Sequence, residues 1–191
     1  TEAVVRDEKT ALAEKVVRHP GLHIPVTLLP AAGLQDELGA RVRRDLAALG
    51  LAGESAFYDA RAGRLTSLIL SEPLVPGTGF GNTLAGIRPL DDEAGREAVW
   101  AAVRGFLQER QANLRVDVAE LGTPSIGIFE DGDLIQVHAP RVLDGIPVRD
   151  AGVTAIVNHG NLILLGLENW GDASAAAASV AVGETLARLR V

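Results

Sequence analysis

The order of apolar runs and turn residues predicts an α+β fold: a helix packed on an antiparallel β-meander, preceded by a smaller α+β subdomain. Three observations carry this. Four strand-like runs follow one another late in the chain, "SIGIFE", "DLIQVHAPRVL", "IPVRDAGVTAIV" and "NLILLGLENW". The breaks between them are Asp131-Gly132, Asp144-Gly145 and Asn158-His159-Gly160, and residues of this kind tolerate the positive φ that tight hairpins need. An amphipathic helix stands just before the first run. With 191 residues, 47% hydrophobic and 23% charged, the chain can bury a core of this kind.

The opening "VVRDEKTALAEKVVRH" has Val5, Leu12 and Val16 on one helical side, and Pro20-Gly21 stop it. "LHIPVTLL" reads as a short extended segment, with Pro25 favouring a sheet edge. "LQDELGARVRRDLAALG" places Leu34, Leu38, Val42, Leu46 and Leu49 at helical spacing, and Gly50 sits where a C-terminal cap belongs. "SAFYDARAGRLTSLILS" is a hairpin turning through Asp59 to Gly63. These elements form an N-terminal subdomain, 1–76, and the glycine-rich 77–90 is expected to be a flexible linker.

The second unit, 91–172, begins with Asp91 or Asp92 capping a helix near 92–110 that carries Val99, Trp100, Val103, Phe106 and Leu107 on its apolar side. The meander follows, with strands expected at 125–130, 133–143, 146–157 and 161–168. "NLILLGL" is apolar on both faces, so either the first stretch or a partner should cover the second face. Residues 173–191 read as a final helix through Val182, Leu186 and Leu189, expected to be truncated at Val191. The start at Thr1 leaves two readings, a removed leader or a fragment of a longer precursor.

A net charge of −7 argues against nucleic acid or an anionic membrane as the main partner. No apolar run approaches the roughly 18 residues of a membrane-spanning helix. With no Cys, disulfides, thiolate nucleophiles and cysteine metal sites are excluded.

"LVPGTGFGNTLAG" looks at first like a phosphate cradle, with Gly77, Gly79 and Gly81 at alternate positions. A P-loop needs a lysine and a hydroxyl after its last glycine, whereas Ile87 and Arg88 stand here. The dinucleotide fingerprint fails at Leu84, where its third glycine belongs. His19 and His23 are separated by Pro20-Gly21, which breaks the helix that would align them, while His138 falls in a strand and His159 in a turn. These patterns predict neither a zinc nor a nucleotide site in this segment. Ser55, Ser67, Ser71, Ser125, Ser174 and Ser179 lie outside any G-x-S-x-G elbow. The pairs Asp91/Asp92 and Glu130/Asp131 belong to a cap and a turn, and Arg43/Arg44 and Arg188/Arg190 to solvated helix faces. The residues therefore predict a segment that is not an enzyme.

At "IQVHAPRVLDGIPVRDAGVTAIVNHGNLILLG" the sequence resembles the FTP and PepSY propeptide segments of secreted thermolysin-like and fungalysin-like zinc metalloproteases. The likeness rests on "RVLDGIPV", with Asp144, Gly145, Pro147 and Val148, and on Gly160-Asn161-Leu162 at the next turn. Arg141 stands where those propeptides usually have Gln. "FYDARAGRLTSLILSEPLVPG" is similar to the upstream part of such precursors. The resemblance implies a PepSY/FTP-like fold and a secreted or cell-envelope location. It implies a non-catalytic propeptide that chaperones and inhibits the catalytic domain of a metalloprotease zymogen, in cis or in trans. Zinc is then expected only in a downstream protease domain. The alternative is a stand-alone PepSY-type binding module that regulates peptidase activity in the cell envelope.

Overall fold

The computed structural model describes residues 28–30, 36–51, 55–59 and 64–171. The helices expected before Pro20 and after residue 173 lie outside the described residues, as do His19, His23 and the serines at 174 and 179. Strand β1 (Leu28–Pro30) and helix α1 (Asp36–Ala48) precede β2 (Ala56–Asp59) and β3 (Arg64–Pro73). Helix α2 (Glu93–Leu114) and a 3₁₀ turn (Val118–Glu120) lead to β4 (Ser125–Phe129), β5 (Leu134–Leu143), β6 (Ile146–Asn158) and β7 (Asn161–Glu168). The strands form a seven-stranded sheet in the order β1-β2-β3-β7-β6-β5-β4, with antiparallel pairing throughout. The chain is therefore α+β, with helices on an antiparallel sheet.

The meander's boundaries follow from its turn residues. Asp144 (φ 48°) and Gly145 (φ 80°), then His159 (φ 47°) and Gly160 (φ 86°), supply the paired positive φ values of a type I′ turn. The first break is longer than a simple Asp-Gly turn, since Phe129 pairs with Leu134 and leaves residues 130–133 as the loop. Glu130 and Asp131 both take φ 52° ahead of Gly132, so the left-handed run begins one residue earlier than expected.

Helix α2 starts where Asp92 accepts a hydrogen bond from the Gly95 N–H at 2.7 Å. It runs past the expected end at 110, because Leu114 is fully buried and no Gly or Pro intervenes. Arg115 in the left-handed region closes it. Val99, Val103, Phe106 and Leu107 pack with Val42 and Leu46 of α1 against Leu68, Ile135, Ala155 and Leu165 of the sheet.

This corrects the division into two units. β3 pairs with β7 from Ser67↔Gly166 to Pro73↔Asn161, and one buried cluster takes side chains from both stretches. The physical reason is that the edge of β7 away from β6 carries backbone N–H and C=O groups that need partners, and β3 supplies them.

The same strand's two apolar faces have a local explanation. Leu162 pairs with Val157 and Leu164 with Ile156, leaving Ile163 as the extra residue of a bulge. Leu162, Leu165 and Leu167 thereby face the helices, while Ile163 and Leu164 turn outward. Among the described residues both helices lie on one face. The other displays Phe57, Ile69, Leu164, Ile156 and Gln136.

Candidate functional site

Three turns meet at one end of the sheet. The glycine-rich segment after β3 folds back over the β6–β7 turn, and Leu74 and Val75 both donate backbone hydrogen bonds to Gly160 O, at 2.9 and 3.1 Å. Gly79 N–H donates to His159 O at 2.7 Å. Asn82 Nδ2 donates to Val75 O at 2.9 Å and to Asn161 Oδ1 at 3.0 Å, while its own Oδ1 accepts from Leu84 N–H. Asn161, buried at 3% exposure, donates through Nδ2 to Phe80 O at 2.9 Å.

The glycines allow this contact. A β-carbon at Gly77 would run into the His159 carbonyl, and one at Gly160 would meet Val75 O and the Gly77 backbone. The segment expected to be a flexible linker is thus a strapped loop. Gly77 and Gly79 serve close approach to the β6–β7 turn, whereas Gly81 takes a left-handed φ of 75° with open space around it.

The β4–β5 turn joins the same cluster. His159 N–H donates to Asp133 O at 2.7 Å, the His159 Nδ1 lies 2.9 Å from Asp133 Oδ1, and Arg88 pairs with the same carboxylate. Thr78 Oγ1 lies 3.4 Å from the same ring nitrogen, Nδ1. A proton relay would place hydroxyl and carboxylate on opposite nitrogens of the ring. This arrangement does not, and it reads as a clamp on the loop.

His138 belongs to a separate row on the open sheet face. Its Nδ1 lies 3.2 Å from Thr154 Oγ1, and Thr154 donates to Glu168 at 2.8 Å. Among the described residues no group of three His, Asp or Glu side chains is placed to hold a metal.

Beside the strapped loop lies an apolar groove of about 360 Å³. One wall is Leu74 to Pro76, the lip is Ile87 to Leu90, and the floor is the Ala94, Ala98 and Ala102 stripe of α2. The Leu90 carbonyl rests where a side chain at Gly95 would project, so loop and helix meet closely at the groove's end. Ile87 is 89% exposed and Leu90 52%, large apolar side chains held in water by an anchored backbone.

The motif residues divide between the two ends of the sheet. Asp144, Gly145 and Pro147 are exposed at the β5–β6 end, with Val148 half-buried after them. Arg141, nearby, is 4% exposed; it donates to Glu120 at 2.7 Å and to Gly171 O at 2.6 Å, and its guanidinium lies 4.9 Å from the Trp170 ring centre. It closes the end of β7 onto β5. Gly160 and Asn161 belong to the opposite end, in the strapped loop.

The groove and the Asn82–Asn161 pairing were missed in the sequence because their members lie up to 79 positions apart. The available signal was an alternating-glycine loop followed by Ile87 and Leu90, too apolar for a solvated linker. Comparison of the chain with known protein families, curated proteins and solved structures finds no match.

Proposed function

We propose that the chain is a non-catalytic propeptide-type module, the chaperone and inhibitor of a secreted zinc metalloprotease whose own domain carries the zinc. The observation that supports the reading is the order α2-β4-β5-β6-β7, helix then antiparallel meander, with "RVLDGIPV" forming the β5–β6 hairpin. A helix packed on an antiparallel meander is compatible with the fold that the resemblance implies. A module that binds the native protease preferentially stabilises it by mass action, and a rigid body on the cleft excludes substrate.

The test is inhibition in trans. The purified chain, added to mature thermolysin-like and fungalysin-like proteases, should give saturable inhibition of peptide hydrolysis. Gly145→Val should lower stability on the order of 1–3 kcal/mol by backbone strain and weaken inhibition. The exposed helix control Arg104→Ala should change neither. Absence of inhibition across both protease groups would leave the stand-alone cell-envelope binding module as the better reading.

A further inference from the structure

We propose that the groove between the strapped loop and α2 is a docking site for a cationic amphipathic segment of a partner polypeptide. The inference stands on the groove itself and holds whether or not the partner is a protease.

The groove is lined mainly by apolar side chains, with Arg88 and Asp92 the charged residues among them. Leu74, Pro76, Ile87, Leu90, Ala94 and Ala98 line it, and the small alanine side chains leave room for incoming ones. Around it the charge is one-sided. Arg88 pairs with Asp133, and Arg96 pairs with Asp91 at 2.7 Å, so both neighbouring cations are engaged. Asp92 lines the groove at the start of α2, and Glu130 and Asp131 are exposed on the adjacent β4–β5 turn; among the described residues no arginine pairs with any of these three. Gly132 brings that turn against the Pro89 carbonyl, which sets its carboxylates beside the lip.

An apolar centre with an acidic rim selects a segment bearing apolar anchors flanked by Lys or Arg. An acidic or purely polar segment matches only one of the two features. The loop is fixed by the Asn82–Asn161 and Gly79–His159 hydrogen bonds, so the groove exists before the ligand arrives and little ordering accompanies binding.

The probe is a fluorescein-labelled amphipathic Leu/Lys peptide, titrated with the full chain and read by polarisation at moderate salt. A Leu/Glu peptide and a Ser/Lys peptide of equal length are the comparisons. Saturable micromolar binding of Leu/Lys alone is expected. Ala98→Arg, which fills the floor with a cation, and Ile87→Ser, which removes the lip, should each weaken it at least tenfold. Both positions are exposed, so the fold should persist, checked by circular dichroism. Phe57→Ser on the opposite sheet face should leave affinity unchanged. Equal binding of the Ser/Lys peptide would reduce the effect to general charge attraction and overturn the proposal. Undiminished binding by Ala98→Arg would also overturn it. So would a dimer in sedimentation that Ala98→Arg abolishes, because the groove would then belong to a second copy.

Discussion

Gly145 and Gly160 hold the same kind of turn position with φ of 80° and 86°, yet their surroundings differ. A β-carbon at Gly145 meets nothing within 4 Å, so Gly145→Ala carries only the left-handed backbone penalty, about 1–2 kcal/mol. At Gly160 the same β-carbon collides with Val75 O and the Gly77 backbone. Gly160→Ala should therefore cost clearly more, about 3 kcal/mol or above, once strain and displacement of the loop are combined. Urea denaturation of both variants measures this, and equal midpoints would show that the loop does not press on the turn. Arg141 illustrates the same dependence on surroundings. The sequence marked it only as a departure from Gln, whereas the fold buries it between Glu120 and Trp170.

The elements themselves were legible to within a few residues. The strands expected at 125–130, 133–143, 146–157 and 161–168 lie at Ser125–Phe129, Leu134–Leu143, Ile146–Asn158 and Asn161–Glu168. Asp-Gly and His-Gly steps require local backbone conformations that few other residues accept, so strand ends are written in nearest neighbours. The loop after β3 was not legible, because its order rests on two asparagines from different elements. Asn161→Ala removes the acceptor for Asn82 and the donor to Phe80 O. It should cost about 1–3 kcal/mol and speed amide exchange of Gly79 and Asn82 by at least tenfold. Exchange rates unchanged in the variant would mean that the backbone bonds hold the loop alone.

At the scale of the molecule, pairing of β3 with β7 decides how the chain unfolds. Two subdomains on a flexible linker would separate in two steps. A continuous sheet over one buried cluster should open as one cooperative unit. Native-state hydrogen exchange should then give the amides of Leu68 in β3 and Leu165 in β7 the same opening free energy and the same denaturant dependence. A markedly lower value for Leu68 would restore the first stretch as an independent unit.

By itself the sequence determined the α+β class, the meander, its turns and the helix before it, since each depends on local periodicity or on the φ tolerance of adjacent residues. It also marked the candidate motif residues, but not their grouping. Only the tertiary structure decided that β3 joins β7, that a bulge at Ile163 splits the apolar strand between two faces, and that the glycine-rich segment is strapped beside a groove. Those features depend on contacts between distant residues, such as Asn82 with Asn161 and Arg88 with Asp133. Pairings of that kind leave no periodic trace in one chain, because the partners become neighbours only once the sheet has formed.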